Sequence, residues 1–544
     1  MVTPEELAAG LGLAKDDVRA AGRGAVKVAV RAVRERAARG GGGRLVLVTG
    51  MTPTKHGEGK TVTVIGLTEG LARRGARAVA CLRQPSLGPV FGVKGGATGG
   101  GHATVEPSAT INLGFTGDIH AVAEAHNLLA SLIDNHLYHG NALDIERSRV
   151  LWPRTLDVED RALRHIVTGT GTDPRLLAQD SSFMITAASE VMVVLALARD
   201  YADLKARLGR ILVAYRGDGS PVRASDLHAV GAMAAVLRDA LEPNLVSTGG
   251  GAPALIHTGP FGNLAHGTTS RLAIELALAT SDYCVVEAGF ATELGAEKFV
   301  DIVTPVLGRD VDVAVLVVTL RSLRVQGGAP DADALLPAPQ AFERGLANLE
   351  QHLANLETLG PARVVALNRF PGDSPEEIRR LTEFCRGHGV DVVESAAYER
   401  GGDGCLELAA RVEELARLGR RSHPLYPPGT PIEEQLDLIV RRLYGGAGVR
   451  LLDEATVDLR ELAAVGETAG PVCVAKTPLS LSDDPTQRGR PSGFTPQVHR
   501  FARSAGAGFT VAFLGTIETM PGLPARPAAE QIDVRDDGEV TGLM

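Results

Sequence analysis

Residues 49–67, TGMTPTKHGEGKTVTVIGL, put two glycines, a lysine and a threonine where an apolar strand gives way to a helix. Gly57 and Gly59 let the backbone come close to an anion. A helix opening near Lys60 aims free N–H groups and its positive dipole end at a phosphate. Lys60 reaches for terminal phosphates, and Thr61 offers a hydroxyl to Mg2+. Glu58 lies between the glycines. The spacing departs from GxxxxGK[ST], because Thr54 stands at the first glycine position. The plainer reading is a turn that caps a helix.

A second group follows the next apolar run. Arg83 ends ARAVACLR (76–83), Gln84 follows it, and the glycine-rich stretch 85–101 carries Lys94 and runs through Gly100 to His102. An arginine at a strand's carboxyl end beside such a loop suits bidentate recognition of a carboxylate or phosphate. Read alone, Arg83 is a surface ion pair. His120, His126, His136 and His139 are read as hydrogen-bonding groups, since 120 and 136 lie too far apart on one helix to share a metal.

Those residues need a scaffold. The runs 44–50, 76–83, 210–215, 283–289, 313–320 and 362–370 read as buried strands, separated in several places by helices; 346–356 sets Leu346, Leu349, Leu353 and Leu356 on one face. This alternation predicts an α/β fold with mostly parallel sheets and flanking helices, and ligands beyond the carboxyl ends of the strands. Residues 4–39 read as helical. The segment 422–431 reads as a connector, and the apolar runs after 472 as a small α/β unit. The expected division is a P-loop-like nucleotide domain over 1–355 and two smaller α/β domains over 356–445 and 446–544.

Composition narrows the function. Hydrophobic residues make up 44% and charged residues 22% of the 544, with a net charge of −9, so a nucleic-acid partner is not expected. Five cysteines without a CxxC pair argue against a disulfide framework or a zinc ribbon and fit a reducing compartment. The opening MVTPEELAAGLGL has no long apolar run, so neither signal peptide nor membrane span is expected, and the location is read as cytoplasmic.

The segments TPTKHGEGKT, LRQPSLGPVFGVKGGATGGG, FTGDIHAVAEAHNLLASLIDNHLYHGN, TGPFGNLAHG, EAGFATELGAEKF, LNRFPGDS, KTPLSLSDDP and TMPGLPARPAAEQID occur in that order. Together they resemble the formate–tetrahydrofolate ligase family over nearly the whole chain, most weakly in the first 40 residues and in 200–240. The resemblance implies an ATP-dependent enzyme that activates formate as formyl phosphate and passes the formyl group to N10 of tetrahydrofolate. It implies Mg2+ with the ATP, a monovalent cation, and a homotetramer. Lys60 and Arg83 fall on the phosphate-loop lysine and the formyl-phosphate arginine. Asp118 falls on an aspartate near the reacting centre; a helix N-cap is its other reading. Phe290, Phe370 and Tyr398 fall on the aromatic positions of the folate pocket, where Phe370 and Tyr398 would stack on the pterin.

The chain departs from the family pattern at several places. Gln84 replaces a glutamate, His102 a tyrosine, Tyr398 a tryptophan, and Gly250 a glutamate; Met184 and Thr516 also differ. These changes keep two other readings open: a paralogue that uses another small acid or acceptor, and a folate- or nucleotide-binding protein with weak catalysis.

Overall fold

The computed structural model describes residues 2–543 except 23, 56, 174, 176 and 333. Twelve strands form a central sheet. In chain order they are β1 (Val18–Ala20), β2 (Val26–Val28), β3 (Arg44–Gly50), β4 (Ala78–Leu82), β5 (Gly99–Gly100), β6 (Ala103–Glu106), β7 (Asn244–Thr248), β8 (Pro253–Ile256), β9 (Tyr283–Glu287), β10 (Val313–Val318), β11 (Ala362–Asn368) and β12 (Val392–Ser395). The spatial order β8-β4-β9-β3-β10-β11-β12 is parallel throughout. β10 is buried at every position, which explains its unbroken VAVLVV: a strand covered on both faces has no polar side to show. The chain leaves β3 to one side for β4 and returns through β9 to cross to β10, so the order reverses around β3. Crevices at such reversals hold the ligands of open α/β sheets.

The expected boundary after residue 355 falls inside this sheet, since β11 and β12 continue it beside β10. The run 210–215 is a strand, Leu212–Arg216, but it belongs to a separate antiparallel sheet with Ile145–Val150 and Pro221–Arg223. Residues 4–39 are not helical throughout. Helices Pro4–Gly10 and Val30–Ala38 flank the hairpin β1–β2, whose Val26 and Val28 are buried where β2 pairs with β7. The β-branched residues fit that edge better than a helix. The C-terminal unit is a four-stranded sheet, Arg450–Leu451, Val472–Ala475, Gln497–Ser504 and Phe509–Leu514, with helix Asp453–Ala464.

Three helices matter for the site: α1 (Lys60–Arg73), α2 (Asp118–Tyr138) and α3 (Pro339–Leu359). Leu346, Leu349, Leu353 and Leu356 of α3 are buried as their spacing predicts. Asn348, Gln351, His352 and Asn355 on the opposite face are buried too. Among the described residues no helix is long and apolar enough to cross a membrane. His126 and His136 make internal hydrogen bonds, to Ser189 and Pro153 and from the Leu143 N–H, while His120 and His139 are exposed.

Candidate active site

The glycine-rich loop begins where β3 ends at Gly50 and closes at α1. Gly59 precedes α1 with φ +76°, and a Cβ there would lie 2.7 Å from Asn368 Nδ2, so a side chain is excluded by conformation and by space. Asn368, the last residue of β11, donates to Glu58 O at 2.9 Å and accepts from Thr63 Oγ1 at 3.1 Å. Glu58 turns inward. Its Oε1 accepts from Thr54 N–H and its Oε2 from Thr319 Oγ1, both at 2.8 Å. The carboxylate therefore folds the loop on itself and ties it to the end of β10. Gly57, with φ +72°, leaves the outer side of the loop open.

Glu287, the last residue of β9, organises the charges. It accepts from Thr61 Oγ1 at 2.8 Å and from Arg83 Nε at 3.3 Å. Arg83 also donates to Pro260 O at 3.3 Å. Burial works to raise the Glu287 pKa, but Arg83, the Thr61 hydroxyl, Lys60 and Lys94 outweigh it and hold the carboxyl below its usual value. Burial lowers Lys60, opposed by Glu287 and Glu58. Lys94 is exposed at the surface of the cleft, and the surrounding protein pushes it down to about 8, first by desolvation and then through Arg83 and Lys60. Lys60, Arg83 and Lys94 thus gather around Glu287 at the carboxyl edge of the parallel strands, with Glu58 and Glu293 also acting on Lys60.

Gln84 is buried beside Arg83. Its backbone N–H donates to Thr258 O at 2.6 Å, while neither polar atom of its amide, nor the buried Thr258 hydroxyl, has a hydrogen-bond partner among the described residues. Gly100 and His102, expected in the same pocket, come instead to Tyr398. His102 N–H donates to Tyr398 O at 2.8 Å, and a Cβ on Gly100 would lie 3.1 Å from the Tyr398 ring. The His102 side chain is exposed.

Phe290 adopts φ +59°, a strained conformation for an aromatic residue, just past β9; Gly262 admits its ring. Phe370 and Tyr398 follow β11 and β12 and are 42% and 61% exposed. Two aromatic faces left in water at the ends of neighbouring parallel strands are available to a flat ligand.

Asp118 is buried in an ion pair with Lys27, at 2.8 Å, and its Oδ2 also accepts from Asn244 at 2.8 Å and Thr116 at 3.1 Å. Lys60 and Arg83 are not among its partners. The N-cap reading does not hold: Gly117 occupies the cap of α2 and no side chain accepts there. Burying the Lys27 ammonium requires a counter-charge, and Asp118 supplies it.

Glu287, Asn368 and Thr319 were not singled out in the sequence. Each lies at the carboxyl end of a buried strand, and a polar residue closing an apolar run was the available signal. Gly250 also gains an explanation. A Cβ there would lie 2.5 Å from Glu69 Cδ, and Glu69 accepts from Gly250 N–H at 2.8 Å and Gly402 N–H at 2.9 Å. A carboxylate from α1 fills the space in front of Gly250 and braces the segment that follows Tyr398.

The model of the formate–tetrahydrofolate ligase family matches residues 1–544. A formate–tetrahydrofolate ligase of Thermus thermophilus is 50% identical over 539 residues, 99% of this chain and 98% of the relative. One of Myxococcus xanthus is 48% identical over 543 residues, again 99% of this chain and 98% of the relative.

Proposed function

Because the chain belongs to the formate–tetrahydrofolate ligase family and is an ATP-dependent enzyme that ligates formate to tetrahydrofolate, we propose that its cationic cleft carries the reaction through formyl phosphate. The observation that carries this reading is the grouping of Lys60, Arg83 and Lys94 around Glu287 beside a phosphate loop.

In the first step a formate oxygen attacks the γ-phosphorus, an O–P bond forms, and the bond to the β-phosphate oxygen breaks to release ADP. Two anions must meet, and charge spreads over the transferring phosphoryl oxygens. Lys60 and Arg83 screen that charge, and Glu287 holds Arg83 and Thr61 in place for it. In the second step N10 attacks the formyl carbon, the C–N bond forms, the C–O bond breaks, phosphate leaves, and the nitrogen gives up its proton. The products are 10-formyltetrahydrofolate, ADP and phosphate. Phe370 and Tyr398 orient the pterin by stacking.

The Thr61 hydroxyl and the Glu287 carboxylate, 2.8 Å apart, are the hard oxygen donors that suit Mg2+. When bound there, Mg2+ would neutralise charge on the nucleotide phosphates. Gln84 Oε1 and Thr258 Oγ1, buried and unpartnered among the described residues, are neutral oxygens that fit a monovalent cation. The homotetramer has support in the apolar side chains exposed within one stretch, Leu151, Leu156, Val158, Val167 and Leu177; light scattering measures it directly. Five free, buried cysteines suit the cytoplasm.

The test is formate-dependent release of ADP, with and without tetrahydrofolate. ADP release that ignores formate would overturn the assignment of the acid.

A further inference from the structure

A buried polar chain runs behind the phosphate loop, from the C-terminal unit to Thr52. The Thr52 N–H donates to His352 Nε2 at 2.9 Å, and the Thr52 hydroxyl lies 3.0 Å from the same nitrogen. Asn348 Nδ2 donates to Thr52 Oγ1 at 3.0 Å and to Gly489 O at 2.7 Å. Thr52, Asn348 and His352 are wholly buried. A backbone N–H can only donate, so His352 Nε2 bears the lone pair and Nδ1 bears the proton. Nδ1 then donates to Thr292 Oγ1 at 2.7 Å.

Charge stands behind this imidazole. Glu293 Oε2 lies 3.7 Å from His352 Nδ1 and has no hydrogen-bond partner among the described residues. Glu293 Oε1 lies 3.5 Å from Lys476 Nζ. Lys476 also donates to Thr477 O and Ser480 O and sits over the Tyr444 ring. Both partners of the ion pair are wholly buried. A pair so placed gains little stability over apolar residues of the same volume, which leaves specificity or function as the reason for it.

We infer that His352, backed by Glu293 and Lys476, is a positioning residue for the phosphate loop, and that the C-terminal segment 476–489 is thereby a working part of the nucleotide site. The inference rests on the ATP-using reading above. The chain touches the loop at its first turn, two residues beyond β3, where a small rotation re-aims every N–H that follows. Glu293 also opposes, weakly, the lowering of Lys60 by burial, so one carboxylate acts on both the loop's lysine and the imidazole at its base. Burial pushes His352 down to about 4; Glu293 opposes the shift and Lys476 supports it. Burial is what chiefly keeps Nε2 unprotonated, and Lys476 adds to it while pairing with Glu293. Among the described residues no other charged group acts on the ring.

The test uses the full-length enzyme, with MgADP binding by calorimetry and steady-state constants for all three substrates. His352→Leu should raise the MgADP Kd and the KM for ATP about tenfold, since a buried N–H loses its acceptor, and leave the KM values for formate and tetrahydrofolate unchanged. His352→Gln, whose amide oxygen replaces Nε2 as acceptor, should stay within about twofold of the parent. Lys476→Met, which leaves Glu293 buried beside the imidazole without its cation, should raise the MgADP Kd and the KM for ATP severalfold and leave the KM for formate unchanged. A Gln variant as impaired as the Leu variant, or a Lys476→Met variant that binds MgADP like the parent, overturns the inference, and these two arms stand even if the Leu variant does not fold. A parent enzyme that binds no MgADP would instead overturn the reading of the site.

Discussion

The Lys27–Asp118 pair separates a structural task from a chemical one. Both side chains are buried, at 2% and 3% exposure, with 2.8 Å between the charged atoms. Burial lowers the Lys27 pKa and Asp118 opposes that shift, so each charge depends on the other. Removing one partner of such a pair costs about 3–5 kcal/mol, because the survivor is left unpaired in a poor solvent. Unfolding entropy of about 2.1 cal/mol/K per residue gives roughly 1.1 kcal/mol/K for a chain of this length, so the loss corresponds to a fall of about 3–4 °C in melting temperature. Lys27→Met and Asp118→Asn should each show that fall by differential scanning fluorimetry. The double variant, which removes both charges and leaves an acceptor for Thr116 and Asn244, should recover to within about 1 °C. Asp118→Asn should keep kcat within about twofold below its transition. An Asp118→Asn protein that melts like the parent and loses its turnover would refute this reasoning and move Asp118 to the reaction centre.

The pH behaviour of Lys94 follows from its pKa of about 8, below the ordinary 10.5. Its charge is present below pH 8 and lost above it, so formate kcat/KM should fall as pH rises through about 8; Lys94→Met should remove that limb and Lys94→Arg carry it upward. Asp301, raised by burial to about 7, binds a proton in the folded state that the unfolded chain has already lost. Buried Glu297 beside it is raised too, so stability should decline as pH rises from about 4, and Asp301→Asn should make that decline of melting temperature shallower while Glu297 keeps part of it. Tyr398→Ala should weaken tetrahydrofolate binding by roughly 1 kcal/mol, read as a raised KM, and leave the KM for ATP unchanged; equal losses for both ligands would mean general damage.

Much of this was legible in the sequence. Fully buried parallel strands are unbroken apolar runs, so β3, β4, β9, β10 and β11 announce themselves, and with them the edge on which Lys60 and Arg83 meet. The hairpin β1–β2 was hidden because its strands are three residues each and set in a sequence rich in alanine and arginine. The second face of α3 was hidden because Asn348, His352 and Asn355 look like solvent residues until their partners, Thr52, Thr292 and Gly489, are placed from distant parts of the chain. Pairing decided the rest. Nothing local says that Asp118 belongs to Lys27, 91 positions away, or that Glu69 stands against Gly250. The expected acid pocket divides for the same reason. Gln84 stays with Arg83, while the glycine-rich turn brings His102 to Tyr398, so the two departures from the family pattern lie in different surroundings.

The formyl phosphate step is open to one direct measurement. If a formate oxygen attacks the γ-phosphorus, that oxygen leaves with phosphate when N10 takes the formyl group. Turnover of doubly 18O-labelled formate with ATP and tetrahydrofolate should release phosphate carrying a single label per molecule, with the other label retained in the formyl product. Unlabelled phosphate, formed while 10-formyltetrahydrofolate accumulates, would contradict the account.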